Sequence, residues 1–203
     1  MQKINLFVNY YNCGEIERQK EIDFCFNHNK NSGLFSNIIN FNDRPTYTDF
    51  FNATLAYPED INVFSNSDIY FNDTIKHVLN MGSMDAYALT RWEESENGIV
   101  PFETKHSYNQ EAKSKHSQDV WVFYGAVNTV YGGFHIGVPG CDNRIAYEIN
   151  KANYNLSNPS NIIKCVHKHA NEKRVYTMPD KISPPYLWVD VNGTETPGRR
   201  TYR

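Results

Sequence analysis

Short apolar runs rich in β-branched and aromatic residues alternate with polar segments along most of this chain. Ile4–Tyr10 is the first such run, and residues 12–14 break it before a polar helix that begins around Glu15. Phe35–Phe41 predicts a second strand, and Thr48–Leu55 predicts a short helix rich in aromatic residues. The opening of the chain therefore predicts strand, helix, strand and helix in succession.

The same alternation continues further along the chain. The later predicted strands are Ile61–Phe64, Asp85–Trp92, Val120–Tyr124 and Ile162–His169. Two more helices are predicted, one over Asn72–Leu79 and one that carries Ile145 and Ile149, with Asp142 as its N-terminal cap. Such alternation predicts an α/β domain with a mostly parallel mixed sheet and helices on both faces, in which ligands bind beyond the carboxyl ends of the strands.

The length of the chain, 203 residues, is that of one domain, and a chain of this size buries about 70% of its unfolded surface. We expect residues 1–177 to form the domain and residues 178–203, rich in Pro and Gly, to pack on it, with Pro184–Trp188 as a strap. Glu93–Ser117 is polar and longer than an ordinary connection, so we expect a mobile lid or binding loop there.

Charge and composition exclude several classes of protein. The net charge is −3 and the pI is near 6.2, so we expect no nucleic-acid partner. No apolar run approaches the roughly 18 residues of a transmembrane segment, and we expect a soluble, cytoplasmic protein. The four cysteines contain no Cys-x-x-Cys pair, which predicts reduced thiols rather than a zinc knuckle or a dithiol redox motif.

Asn66-Ser67-Asp68 directly follows an apolar run and is the most informative motif of the chain. Successive side chains of a strand face opposite ways, so Asn66 and Asp68 project to the same side where the strand emerges. One carboxylate and one amide oxygen suit Mg²⁺ or Mn²⁺ and leave positions open for the pyrophosphate of a nucleotide. Ordinary turn chemistry is the alternative, because Asn, Ser and Asp side chains bond their own backbone.

His167 and His169 fall on one face of the late predicted strand and are candidates for a nitrogen ligand that completes the site begun by Asp68. The alternative is a pair of histidines that bond backbone carbonyls. A base that takes the proton of an incoming hydroxyl is also required for a transfer reaction. Asp142 is the first candidate and Asp119 the second, and each has a plain polar cap as its alternative interpretation.

Several other polar residues lie at predicted strand ends. Four arginines there have the chemistry to neutralise phosphate oxygens, with a structural ion pair as the alternative for each: Arg44, Arg91, Arg144 and Arg174. Tyr10 and Asn12, at the end of the first strand, are positioned either to shelter a base or ribose or simply to cap the sheet.

Taken together, six segments resemble a family of small glycosyltransferases with the nucleotide-diphospho-sugar transferase (GT-A) fold, found in bacteria, phages and large DNA viruses. The resemblance covers roughly residues 1–176, and the order and spacing of the segments make it specific. The segments are Asn42-Asp43-Arg44-Pro45-Thr46-Tyr47, Ser65-Asn66-Ser67-Asp68-Ile69-Tyr70-Phe71, Tyr87-Ala88-Leu89-Thr90-Arg91-Trp92, Ser117-Gln118-Asp119-Val120-Trp121, Gly137-Val138-Pro139-Gly140-Cys141-Asp142-Asn143-Arg144 and His167-Lys168-His169.

The resemblance implies a metal-dependent enzyme. In that family an Asp-x-Asp signature holds the metal that bridges the two phosphates of the donor, and here Asn66 replaces the first Asp while Ser67 and Asp68 follow. The implied ligands of Mn²⁺ or Mg²⁺ are therefore Asp68, with Asn66 beside it, and either His167 or His169.

The resemblance also implies a reaction. It assigns the base of an inverting transfer to Asp142, and it places Asp43 against the base of the nucleotide. The implied activity is transfer of a sugar from a UDP- or GDP-linked donor to a glycan or another hydroxyl acceptor.

Two other classes share this architecture. A nucleotidyltransferase that makes nucleotide sugars would carry a Gly-rich, basic loop after the first strand, whereas residues 9–14 contain no basic side chain. A catalytically silent domain that binds glycan or protein is the other alternative, and Asn66 in place of an acid is its main support.

Overall fold

A computed structural model describes residues 2–96, 98–102, 117–168 and 180–191. These residues form an α/β domain around a mixed sheet of six strands. The strands are β1 (Ile4–Val8), β2 (Asn37–Asn40), β3 (Ile61–Ser65), β5 (Asp85–Leu89), β8 (Val120–Tyr124) and β9 (Asn155–Ser157). Their order across the sheet is β2-β1-β3-β8-β5-β9, and β8 alone among these six runs against the others. The predicted α/β class and mixed sheet are therefore confirmed.

A second, smaller sheet lies beside the first and is not predicted from the sequence. Its strands are β4 (Ile69–Phe71), β6 (Trp92–Ser95), β7 (Gly98–Pro101) and β10 (Cys165–His167), and their order is β4-β10-β6-β7. The late strand predicted over Ile162–His169 is therefore shorter than expected in the described residues, and it belongs to this second sheet. The first part of the predicted loop Glu93–Ser117 is also ordered here, as β6 and β7.

The described helices are α1 (Ile16–Asn31), α2 (Tyr47–Thr54), α3 (Cys141–Lys151) and a 3₁₀ helix (Asp73–Asn80). The last forms the short helix predicted over Asn72–Leu79, as a 3₁₀ helix. Within the described residues, no helix combines the length and the apolar character needed to cross a bilayer.

The two faces of the main sheet are covered by separate apolar clusters. Neighbouring residues of β1 alternate between them, so that Phe7 packs with the aromatic residues of α2 and with α3, whereas Leu6 packs with the 3₁₀ helix and β4. Helix α1 lies against β4, where the Asn29 side chain bonds the backbone of Ile69 and Phe71. Helical elements therefore lie on both faces of the sheet.

The strand expected over Asp85–Trp92 is interrupted after Leu89. The backbone N–H of Thr90 donates to Asn158 Oδ1 at 3.2 Å, and Asn158 Nδ2 donates to the Thr90 hydroxyl at 2.9 Å. The Asn158 side chain therefore bonds Thr90 where the backbone of a neighbouring strand would otherwise pair. The chain leaves the main sheet at this point and enters the second sheet at Trp92.

One local prediction about the helices is wrong. Gly140, with φ of 81°, is the residue before α3, so Asp142 lies in the first turn of the helix rather than at its cap. Glycine is favoured there because its φ is positive. In α1 the apolar residues Ile16 and Phe24 are 73% and 43% exposed, and the buried positions are Glu21, Ile22, Cys25 and Asn29.

Residues 180–191 pack against α3. Leu187 N–H donates to the carbonyl of Asn143 at 2.9 Å, and Val189 is buried in the same cluster as α3. Arg144 Nη1 donates to the carbonyls of Ser183 and Pro184 at 3.1 and 3.4 Å. The segment predicted as a strap therefore lies on the domain along α3.

The central aromatic cluster should dominate the stability of the fold. The Phe64 ring lies 4.9–5.9 Å from four other rings, those of Phe7, Phe50, Phe51 and Phe123. We expect Phe64→Ala to lower the free energy of unfolding by about 3–5 kcal/mol, because it removes buried apolar area and leaves a cavity. Urea denaturation measures this change, with Ile16→Ala as the exposed control expected within about 0.5 kcal/mol. A loss below about 1 kcal/mol for Phe64→Ala would contradict this packing.

Candidate active site

The carboxylate of Asp68 lies between two cationic side chains from distant parts of the chain. Arg18 Nη2 of α1 donates to Asp68 Oδ2 at 2.7 Å, and His167 Nε2 of β10 lies 3.0 Å from the same oxygen. Asp68 itself is 8% exposed. A buried carboxylate is stable only when it is paired, so this pairing fixes the turn between β3 and β4 against α1 and β10.

Further ion pairs continue from His167 towards β8. His167 Nδ1 lies 3.1 Å from Glu93 Oε2, Arg91 Nε donates to Glu93 Oε1 at 2.6 Å, and Arg91 Nη1 lies 3.3 Å from Asp119 Oδ2. At the other end, Arg18 Nη1 donates to Glu21 at 2.8 Å. Acidic and basic groups therefore alternate, and we call this series the charge chain: Glu21, Arg18, Asp68, His167, Glu93, Arg91 and Asp119.

The ion pairs of the charge chain hold Asp68 and His167 in their ionised forms. Burial by itself would lower the pKa of His167, but the hydrogen bonds to Asp68 and Glu93 raise it to about 9. Burial would raise the pKa of Asp68, yet His167 and Arg18 outweigh it and hold that pKa well below its usual range. At neutral pH the imidazolium of His167 therefore donates from both ring nitrogens to two carboxylates.

Asn66 faces Asp119 rather than Asp68. Asn66 Nδ2 donates to Asp119 Oδ1 at 2.9 Å, and the backbone N–H of Asn66 donates to the carbonyl of Asp119 at 3.0 Å. Because β3 and β8 are antiparallel neighbours, the end of β3 and the start of β8 meet at one edge of the sheet. The predicted residues Asn66, Asp68, Arg91 and Asp119 are therefore together at this edge.

Asp142 lies next to this group, in the first turn of α3. Burial and the charge of Asp119 raise the pKa of Asp142 to about 7, although the Cys141 thiol and the backbone N–H of Gln118 donate to its carboxylate. The Cys141 Sγ to Asp142 Oδ1 distance is 3.2 Å. A carboxyl group that exchanges its proton near neutral pH is suited to act as a general base.

The remaining predicted donor-binding residues lie at the same edge but have other partners. The Tyr10 hydroxyl donates to Asp23 at 2.8 Å, and Asn12 accepts from the N–H of Gly14 at 3.1 Å. Asp43 and Arg44 follow β2 and are exposed, and their backbone carbonyls accept bonds from Asn9 and His135.

Four predicted residues remain, two of them within the described ranges. Arg144 is bonded to Glu148 at 2.7 Å and to the strap, so its guanidinium serves the packing of α3. Ser67 lies half-buried in the turn between Asn66 and Asp68. His169 and Arg174 lie outside the described residues.

Sequence analysis missed Arg18, Glu21 and Glu93. Arg18 and Glu21 lie on a polar helix with no clear apolar stripe, and Arg18 is 50 residues before its partner Asp68. Glu93 was assigned to the polar loop. No local pattern points to any of the three, because their roles come from tertiary contacts alone.

The expected Mn²⁺ or Mg²⁺ does not fit the side chains as they lie. Asp68 Oδ2 already bonds two cationic groups, both ring nitrogens of His167 face carboxylates, and the Asn66 amide is bonded to Asp119. Of the two Asp68 carboxylate oxygens, Oδ1 is the one buried without a hydrogen-bond partner among the described residues, and one carboxylate oxygen is not a ligand set. In the described ranges no group of three or more His, Cys, Asp and Glu side chains is placed to hold a metal ion.

No protein-family model matches this chain, and no curated protein matches it. The glycosyltransferase resemblance therefore depends on the six sequence segments. Five of those segments supply the predicted residues that meet at this edge of the sheet: Asn66, Asp68, Arg91, Asp119, Asp142 and His167.

Removing the carboxylate of Asp142 should stabilise the protein at neutral and higher pH. The folded-state pKa of about 7 exceeds the ordinary value of 3.8, so the free energy of unfolding falls as pH rises between these values. We expect Asp142→Asn to raise the free energy of unfolding by about 1–3 kcal/mol at pH 8 and to change it little at pH 4.

Thermal and urea unfolding at the two pH values measure this difference. Asp73→Asn is the matched control, because the Asp73 side chain is 82% exposed and the change should stay within about 0.5 kcal/mol. If Asp142→Asn is instead less stable than the unaltered protein at pH 8, the ionised carboxylate stabilises the fold and this prediction is wrong.

Proposed function

We propose that this protein is a glycosyltransferase that moves a sugar from a UDP- or GDP-linked donor to a hydroxyl acceptor with inversion at the reacting carbon. The observation that carries the proposal is Asp142, a half-buried carboxyl group with a pKa near neutrality beside a charged edge of the sheet. The mostly parallel sheet with one reversed strand and helical elements on both faces supports the GT-A-like fold that the sequence resemblance implies.

The reaction assigns separate tasks to the two halves of the site. The acceptor oxygen forms a bond to the anomeric carbon of the sugar and gives its proton to the Asp142 carboxylate. The bond between that carbon and the diphosphate oxygen breaks, and its electron pair leaves with the nucleoside diphosphate. Positive groups near the diphosphate stabilise the charge that develops there.

Asp119 has a supporting task in this reaction. Its carboxylate is bonded to Arg91, Asn66 and Ser117 at 2.9–3.4 Å, so its oxygens are occupied by donors. The charge of Asp119 raises the pKa of Asp142, which makes Asp142 the stronger base. We therefore assign proton abstraction to Asp142 and the tuning of its pKa to Asp119.

A silent binding domain is the second candidate. The pairing of Asp68 with Arg18 and His167 favours it, because a fully paired carboxylate is also what a purely structural role requires. Turnover separates the candidates: a silent domain releases no nucleoside diphosphate from any donor in the presence of acceptor hydroxyls.

Asp142→Asn should abolish transfer while leaving donor binding intact. Asn keeps the size of the side chain and can accept the same backbone N–H, but it takes up no proton. We expect the transfer rate to fall about 10²–10⁴-fold, the usual contribution of general base catalysis. The affinity for the donor should stay within about twofold, because the base contacts the acceptor rather than the nucleotide.

The measurement is release of nucleoside diphosphate from a panel of UDP- and GDP-sugars, together with the thermal shift that each donor causes. Asp73→Asn is the control and should keep full activity. Pyrophosphate release from a nucleoside triphosphate and a sugar phosphate would instead identify a nucleotidyltransferase. No thermal shift and no turnover with any donor would contradict the proposed function.

A further inference from the structure

Arg18 occupies the position at Asp68 where the sequence resemblance implies a divalent cation. Its guanidinium bonds Asp68 at 2.7 Å and Glu21 at 2.8 Å, and its side chain is 18% exposed. Tyr11, which follows β1, lies near Arg18. The guanidinium therefore lies at the edge of the sheet where β1 and β3 end.

A cation at this position is fixed before any ligand arrives. Burial lowers the pKa of Arg18, but Asp68 and Glu21 raise it above its ordinary value, so the group stays charged. The bonds to Glu21 and Asp68 use one N–H of Nη1 and one of Nη2, whereas a guanidinium carries five N–H donors in a planar fork. The remaining N–H groups suit the oxygens of a phosphate, which arginine binds in bidentate geometry.

A divalent cation at Asp68 would meet two positive groups already in place. Arg18 and His167 both bond Asp68 Oδ2, and a metal at Oδ1 of the same carboxylate would be repelled by both. Metal binding would therefore require one of these ion pairs to break. The geometry therefore favours Arg18 and His167, rather than a metal ion, as the positive groups at Asp68.

The guanidinium groups of Arg91 and Arg144 are committed to other partners. Arg91 bonds Glu93, Ser117 and Asp119, and its guanidinium lies 3.9 Å from the centre of the Phe102 ring. Arg144 is bonded to Glu148 and to the strap. Arg18, by contrast, bonds directly to Asp68 of the predicted motif.

We propose that Arg18 takes the place of the divalent cation: it binds the diphosphate of the donor and stabilises the negative charge that leaves with it. Asp68 and Glu21 act as positioning residues that hold the guanidinium in place. Binding of a nucleoside diphosphate then requires neither Mn²⁺ nor Mg²⁺. This inference rests on the proposed function for the identity of the donor, but the anion site itself does not depend on turnover.

The test measures binding of UDP, GDP and inorganic pyrophosphate by calorimetry, once with EDTA and once with Mn²⁺. The proteins are the full chain and its variants Arg18→Met, Arg18→Lys and Lys20→Met. Lys20→Met is the matched control, because Lys20 lies on the same helix in an exposed pair with Glu17. For the unaltered protein we expect dissociation constants in EDTA and in Mn²⁺ that agree within about threefold.

Arg18→Met should weaken binding at least about tenfold under both conditions, Arg18→Lys should weaken it less, and Lys20→Met should leave it within about twofold. Binding that appears only with Mn²⁺, or that Arg18→Met leaves unchanged in EDTA, would overturn the inference. If Arg18→Met does not fold, two measurements still test the inference. They are nucleotide binding by the unaltered protein in EDTA and nucleotide binding by the Arg18→Lys variant. Pyrophosphate binding that depends on Arg18, without any turnover of nucleotide sugars, would support the anion site and remove the proposed function.

No binding of UDP, GDP or pyrophosphate under either condition would overturn both proposals.

Discussion

The site depends on the ion pairs made by the buried carboxylate of Asp68. It accepts from Arg18 of α1 and from His167 of β10, so one side chain joins the turn after β3 to a helix and to the second sheet. A carboxylate with 8% exposure would be costly without these partners, and removing either one would leave a buried charge uncompensated. The remaining members of the charge chain follow from this pairing, because His167 becomes cationic and then requires Glu93, which in turn pairs with Arg91.

The charges around Asp68 are balanced by neighbours of opposite sign, whereas those around Asp142 are not. Around Asp68 each charge is neutralised by a neighbour of opposite sign, which fixes geometry. Around Asp142 two carboxylates lie close together under burial, which raises the pKa of Asp142 to about 7. Such an arrangement destabilises the folded state at neutral pH and is retained where a group must gain and lose a proton. In the proposed function, the stable pairs position the site and Asp142 supplies the base.

The sequence predicts five of the six strands of the main sheet, because each of those five carries its own local signal, whereas the three-residue strand β9 was not predicted. Ile61–Ser65 and Val120–Tyr124 are β-branched and aromatic runs, and both form central strands within one residue of the predicted bounds. The elements that were missed depend on distant partners: Asn158 ends β5 by bonding Thr90, and the second sheet joins segments about 70 residues apart. Within the site, Asp68, Asp119 and His167 were found from motifs, whereas Arg18 was not, because a lone arginine on a polar helix has no distinguishing local pattern.

In the proposed reaction, Arg18 is the cation that binds the donor and Asp142 is the base that takes the proton of the acceptor. A crystal structure of the protein with UDP or GDP, grown in the presence of EDTA, tests this arrangement most directly. We expect diphosphate oxygens within hydrogen-bonding distance of Arg18, with the open side of the bound nucleotide facing Asp142. A nucleotide bound elsewhere on the surface, with Arg18 contacting only Asp68 and Glu21, would contradict the account.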